Sequence, residues 1–160
     1  MEEPSPIKKH NKRHAEVKTF PVPFALEAMK ENISIATNTS NNGDKEQIMN
    51  QAYQFHSQGN IPEASKYYQY FINQGFKDHR VFSNYGSILK SLGKLEEAEL
   101  NQRKAIDLNP NFTEAHYNLA NTLKDLGELQ EAKISYKKAI QLNPNFTEAH
   151  YNLANTLKDL

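Results

Sequence analysis

The sequence predicts an all-α fold: a solenoid of stacked helix–turn–helix units, about three and a half of them, after a mostly disordered N-terminal segment. Three observations carry this. The stretch LNPNFTEAHYNLANTLKDL occurs twice without substitution, at 108–126 and 142–160, an offset of 34 residues. Self-similarity at that spacing marks a repeat array, in which a unit too small to bury its own apolar face stacks on its neighbours. Turns of the form Gly-x-Leu or Gly-x-Ile keep the same spacing at Gly59–Ile61, Gly93–Leu95 and Gly127–Leu129. Each leads into Glu-Ala, at Glu63–Ala64, Glu97–Ala98 and Glu131–Ala132, and glycine tolerates the left-handed conformation that ends one helix before the next begins. Finally, Pro110 and Pro144 stand one period apart where each second helix must stop, because proline cannot continue the backbone bonding.

Composition bounds the function. A chain of 160 residues is long enough for a sizeable core. Lys+Arg and Asp+Glu both number 19, so the basic surplus that duplex nucleic acid demands is missing, and no nucleic-acid partner is expected. Without cysteine there are no disulfides, no thiolate catalysis and no Cys-type zinc site. The opening MEEPSPIKKHNKRH lacks the apolar centre of a secretory signal. No run approaches the roughly 18 apolar residues of a spanning helix. The expectation is a soluble, cytoplasmic protein with no membrane partner and no cofactor.

Taken in order, residues 1–44 form an N-terminal segment punctuated by Pro4, Pro6, Pro21 and Pro23 and closed by the polar stretch ATNTSNNGD at 36–44. Such composition buries too little apolar surface to offset chain entropy, so the segment reads as largely disordered. An island at 18–35 interrupts it. Leu26, Met29 and Ile33 share one helical face, which fits a short helix at 24–35 capping the array. The same island also reads as a linear docking motif anchored by Phe20 and Phe24. The cluster Lys8, Lys9, Lys12 and Arg13 is flanked by Glu2, Glu3 and Glu16 and reads as solvated. From Lys45 the period takes over, giving an array over 45–160 with units at 45–78, 79–112 and 113–146 and a truncated fourth at 147–160.

The residues inside the units are specific. The unit at 113–146 carries His116-x2-Leu119-Ala120-x2-Leu123, then Ala132-x3-Tyr136 and Pro144. The unit at 79–112 carries Phe82-x2-Tyr85-Gly86-x2-Leu89, then Ala98-x3-Gln102 and Pro110. In this the array resembles bacterial-type tetratricopeptide-repeat (TPR) proteins. The first unit fits at Ile48, Gln51, Ala52, Phe55, Ala64 and Tyr68. It departs at Phe71, where the others have Ala105 and Ala139, and at Gly75–Phe76, where proline is expected, so its second helix should end or pack differently. The small positions Ala52, Gly86, Ala120 and Ala154, with Ala64, Ala98 and Ala132, let helix backbones approach closely.

The resemblance implies a right-handed superhelix whose first helices line a concave groove that holds a protein or peptide segment. It places the second, fifth, sixth, ninth, twelfth and thirteenth residues of each unit on that face. The sixth-position residues are Asn50, Asn84, Asn118 and Asn152. An amide offers donors and an acceptor, so this row could bind an extended backbone, as in the TPR superhelix of protein O-linked N-acetylglucosamine transferase, whose repeats the YNLANTLKDLG wording resembles. The competing reading is that the same amides bond within or between units. Asn121 and Asn155 add a partial second row, and Tyr117 and Tyr151 could pack on a ligand. Lys90, Lys124 and Lys158 form a cationic row, with Asp125 and Asp159 beside the last two and able to offset it. A clamp for a terminal carboxylate is not expected, because the fifth positions are Met49, Ser83, Tyr117 and Tyr151 rather than lysine.

An enzyme is not expected. His116 and His150 recur at a packing position and read as core histidines. His10, His14, His56 and His79 have no companion ligands at metal spacing, and no phosphate loop or nucleophile elbow is present. The principal reading is therefore a non-catalytic scaffold that binds a protein or peptide. The alternative is the substrate-presenting N-terminal part of a larger transferase whose catalytic domain is absent here. The truncated C-terminal helix should leave apolar surface bare, including Leu157 and Leu160, and offers a route to self-association.

Overall fold

A computed structural model describes residues 41–160, which form one compact unit of seven α-helices and, among the described residues, no strand. The helices are α1 (Asn41–Ser57), α2 (Ile61–Asn73), α3 (His79–Ser91), α4 (Leu95–Leu108), α5 (Thr113–Asp125), α6 (Leu129–Leu142) and α7 (Thr147–Lys158). They pair as α1–α2, α3–α4 and α5–α6, with α7 packed on α6. The expected helix at 24–35, the docking motif at Phe20 and Phe24 and the basic cluster at 8–13 lie outside the described residues.

The turn signals act as the sequence requires. Gly59, Gly93 and Gly127 have φ of 72°, 74° and 81°, and each closes a first helix. The next helix starts two residues later in each case, with Pro62 in the first turn of α2, where a missing amide hydrogen costs little. After α4 and α6 the chain turns through Asn109 and Asn143, whose Oδ1 atoms accept from the Asn111 and Asn145 amides at 3.2 Å. Such local side-chain bonds suit turns and compete with helix continuation.

Close packing follows from the small residues. Ala52, Ala64, Ala98, Ala105, Ala115, Ala120, Ala132, Ala139 and Ala149 are all fully buried. Around them the first unit is filled by Ile48, Met49, Tyr68 and Phe71, the third by Leu119, Leu123 and Tyr136. Gly86 shows how tight the contact becomes. A Cβ there would stand 2.6 Å from Gln102 Nε2 and 3.1 Å from the Ala98 carbonyl oxygen. Units one and three place alanine at that position (Ala52, Ala120) and tyrosine opposite (Tyr68, Tyr136), whereas unit two pairs glycine with glutamine.

Two features differ from the sequence reading. Helix α1 begins at Asn41, so the last four residues of the polar stretch 36–44 are helical rather than linker. Once Ile48, Met49 and Ala52 anchor the helix, each added residue gains a backbone bond without a new nucleus, and Asp44 in the first turn favours the helix N-terminus. Helix α2 ends at Asn73, one position earlier in its unit than α4 and α6. It turns off through Gly75 at φ 76°, with the Gln74 amide bonded to the Tyr70 carbonyl at 3.0 Å. The fully buried Phe71 stacks on Phe76 with centroids 5.3 Å apart, and α2 approaches α3 less closely than α4 approaches α5. A phenyl ring in place of alanine separates the two units, as its volume dictates.

Helices α3, α5 and α7 touch one another in succession, whereas α4 and α6 come less close. From α3 to α7 the first helices therefore lie side by side on the tighter face of the stack, the face expected to be the concave wall, and the second helices lie on the other.

Candidate functional site: the concave face

The asparagine row lies along this wall, and the array itself uses much of it. Asn118 Nδ2 donates to Ser83 Oγ at 3.3 Å. Asn152 Nδ2 donates to both Tyr117 Oη and Asn121 Oδ1, each at 3.1 Å. Asn121 Oδ1 also accepts the Tyr136 hydroxyl at 2.6 Å, joining four side chains from α5, α6 and α7 into one network. Each sixth-position asparagine here bonds to the fifth or ninth residue of the unit before. Thr122 and Thr156 return their hydroxyls to the Asn118 and Asn152 carbonyls at 3.0 and 2.8 Å. Bonds that cross from unit to unit hold the register of the stack. Asn50 is exposed and Asn155 half-buried, and neither makes a side-chain bond among the described residues.

The charged row is likewise tied down. Lys90 pairs with Asp125 at 2.8 Å, and Lys124 with Asp159 at 3.9 Å. Each lysine reaches the thirteenth residue of the following unit, so the two signs offset each other, while Lys158 is exposed with no carboxylate in range among the described residues. At the fifth positions Met49 and Ser83 are buried, not presented to the groove. Tyr117 is half-buried, its ring 4.7 Å from Phe146 and 6.1 Å from Tyr136, and Tyr151 is 67% exposed. His116 is a packing residue, its Nε2 donating to the Pro110 carbonyl at 2.8 Å. His150 repeats that bond to Pro144 at 2.9 Å but is exposed.

Between the first and second units the wall is different. Tyr53, His56, Ser57, Tyr68 and Asn84 line a concavity of about 430 Å³. His56 Nδ1 and the Tyr68 hydroxyl are 3.1 Å apart, with the rings edge to face. Asn84 lies against the Tyr68 hydroxyl, within its hydrogen-bonding reach, whereas Asn118 and Asn152 reach the fifth or ninth residue of the unit before. The Tyr53 hydroxyl is buried and has no partner among the described residues. Burial, then the nearby Asp78 carboxylate, pushes Tyr53 up to about 12. Burial also raises Tyr68 and lowers His56, so the imidazole is neutral at neutral pH. For Asp78, burial pulls upward, but hydrogen bonds from Arg80 outweigh it and hold the carboxyl below its usual range. Arg80 grips that carboxylate through Nε at 3.0 Å and Nη2 at 2.8 Å.

Of this cluster, sequence reasoning singled out Asn84 alone as a site residue. The missed signal was the first unit's own substitution pattern, with tyrosine and histidine at ninth and twelfth positions where the later units carry Ser87, Asn121 and Asn155 and Lys90, Lys124 and Lys158. Among the described residues no group of three or more His, Cys, Asp or Glu side chains could hold a metal ion, and no helix is long and apolar enough to cross a membrane.

Family models described as the tetratricopeptide repeat match residues 113–146 and 135–160, and one described as the TPR repeat matches 86–127. Residues 86–160 are tetratricopeptide repeats. The helix pairs of 41–85 continue the same TPR architecture, an all-α solenoid. A stretch of 59 residues is 37% identical to the Hsp70-Hsp90 organizing protein of Triticum aestivum, covering 37% of this chain and 10% of that protein. The chain thus spans only a small part of that relative's length. Among solved structures, the first TPR of Spaghetti (RPAP3), bound to the HSP90 peptide SRMEEVD, superposes with a TM-score of 0.68 at 24% identity, covering 72% of this chain and 91% of that one. The Thermobaculum terrenum O-GlcNAc transferase gives 0.68 at 21%, over 75% of this chain and 23% of its own. MamA gives 0.71 at 17%, over 83% and 73%. At these identities the TPR fold is what is shared.

Proposed function

We propose that this TPR array is a non-catalytic scaffold that holds a protein or peptide segment on the concave wall formed by α1, α3, α5 and α7. The observation that carries the reading is the polar lining of that wall, with one concavity of about 430 Å³ between the first two units lined by Tyr53, His56, Ser57, Tyr68 and Asn84. The Spaghetti domain, whose fold this chain shares, is described as bound to a peptide, which supports the same use of the surface here. Tyr151, Asn155 and Lys158 extend the proposed contact surface to the last unit, where they are exposed or half-buried. Self-association through α7 belongs to the same proposal, as does a cytoplasmic setting.

The test is capture of partners from a native extract by wild-type protein and by the double variant Asn84→Ala/Asn118→Ala, with crosslinking to identify what is held. Loss of captured partners with helicity retained is the expected result. Equal capture by the variant counts against the concave wall as the binding surface.

A further inference from the structure

We propose that the groove between α4 and α6, on the side of the stack that carries the second helices, docks an acidic segment of a partner protein bearing a large apolar side chain among its carboxylates. This surface is separate from the wall of first helices and does not depend on the reading given above.

The groove follows from how the units stack. First helices meet in succession from α3 to α7, while α4 and α6 come less close and leave a cavity of about 370 Å³ between them. Its floor is apolar, with Leu119 of α5 buried and Ile106 of α4 half-buried. Ile134 of α6 also lines it and is 64% exposed. A lone apolar side chain on a surface needs no explanation, but one bordering an apolar recess marks a place for a partner. A leucine, isoleucine or phenylalanine side chain seated there would cover Ile134 and remove apolar area from water on both sides.

Charge selects the partner. The charged residues of the lining are Arg103, Asp107 and Lys138. Arg103 is already paired with Glu99 and with Glu131, each at 2.7 Å. Ile134, Lys137 and Lys138 share one face of α6 at i, i+3 and i+4. Neither lysine has a carboxylate in range among the described residues. Lys138 Nζ donates only to the neutral Gln141 Oε1 at 3.4 Å, and Lys133 Nζ to the neutral Gln130 Oε1 at 2.6 Å. On α6, then, three cations without a counter-ion stand against one unpaired carboxylate in the lining, Asp107 of α4. Such a field repels a basic segment and attracts an acidic one. A nucleic acid would meet the lysines but has no aliphatic group to fill the recess, and a flat anionic bilayer cannot reach the buried Leu119.

Three sets of acetylated, amidated, fluorescently labelled dodecapeptides serve as probes. The first has Leu, Ile or Phe at two positions four apart among Glu, Asp and Ser. The second replaces Glu and Asp by Lys and Arg, and the third keeps the acids but has Ser at both apolar positions. Binding is read by fluorescence anisotropy at about 50 and about 500 mM salt. The first set should bind wild-type protein, more weakly at the higher salt, and the other two should not. Ile134→Ser should weaken that binding roughly tenfold, the effect of one apolar side chain buried at the contact. Lys137→Glu/Lys138→Glu should weaken it by roughly as much and remove its salt dependence. All three side chains are exposed or half-buried, so helicity should be retained. Should the double variant lose it, Ile134→Ser alone decides. No binding of the first set, equal binding of either control set, or undiminished binding by Ile134→Ser overturns the proposal. Displacement of the peptides by phosphatidylserine vesicles would assign the surface to a bilayer, and loss of self-association in Ile134→Ser would assign it to a second copy; either result also overturns it.

Discussion

At the scale of single residues, the contact between Gly86 and Gln102 shows how one side chain sets what its neighbour can be. Gln102 is fully buried, its Nε2 bonded to the Ser83 carbonyl at 3.0 Å, and it occupies the space a Cβ on Gly86 would need. Gly86→Ala gains helix propensity but forces this packing apart, and overpacking of this kind costs about 1–3 kcal/mol. Gly86→Ala should therefore lower stability in urea denaturation. Gly86→Ala with Gln102→Tyr, which reproduces the alanine–tyrosine pair of the other units, should regain most of the loss. Equal stability of both variants would show that the two positions are not coupled. His56 supplies a pH dependence. Burial lowers its folded value below the ordinary 6.5, so the unfolded chain takes up the proton first. Its contribution is complete above that value and is lost as pH falls through 6.5 toward the lower folded value. Tyr53 and Tyr68, which line the same concavity, stay neutral over this range, and Asp78, held below its usual range by Arg80, stays charged. Unfolding free energies between pH 7 and pH 5 should decline for wild type and stay flatter for His56→Asn; parallel slopes would remove His56 as the cause.

At the scale of the element, α2 is the helix that breaks the period. Its Phe71 fills space that an alanine leaves to close backbone approach in the other two units, so the unit gains an aromatic core at the expense of a tight junction with α3. Phe71→Ala should not simply convert it into a copy of the others, because Phe76 and Tyr68 remain placed around a ring that is gone. A cavity of this kind costs about 3–5 kcal/mol. In an array whose stability is close to a sum over units and junctions, the loss should appear as early unfolding of α1 and α2 alone. Hydrogen exchange along the chain would show this, and uniform loss of protection over all seven helices would refute it.

For the whole molecule, the two identical stretches meet different fates. In α5, Leu123 is fully buried and Tyr117 half-buried; their copies in α7, Leu157 and Tyr151, are 50% and 67% exposed, and Leu160 is 49% exposed. α5 has a second helix packed over it, whereas α7 has a neighbour on one side only. The proposed self-association would use this apolar face, whose copy in α5 is covered by a helix. Sedimentation velocity should show a concentration-dependent larger species. Leu157→Lys should weaken it roughly tenfold, the equivalent of about 1.5 kcal/mol of apolar burial. A monomer at every concentration would end this idea.

Much of the architecture was readable because its causes are local. Gly59, Gly93 and Gly127 take up positive φ whatever surrounds them, Pro110 and Pro144 stop a helix by their own covalent structure, and alanines one period apart announce close backbone contact. The helices and turns from Gly59 onward follow from such terms. The fate of the polar side chains does not, because their partners lie 31 to 35 residues away and depend on how one helix is rotated against the next. Only the packed array decides that Lys90 is spent on Asp125, that Asn152 is spent on Tyr117 and Asn121, and that Asn84 faces the Tyr68 hydroxyl of the unit before. The sequence by itself determined a stack of helix pairs with polar side chains recurring one period apart along the first helices. Which of them remain open to a ligand was settled by tertiary contact, since a hydrogen bond satisfied between units is no longer available to anything else.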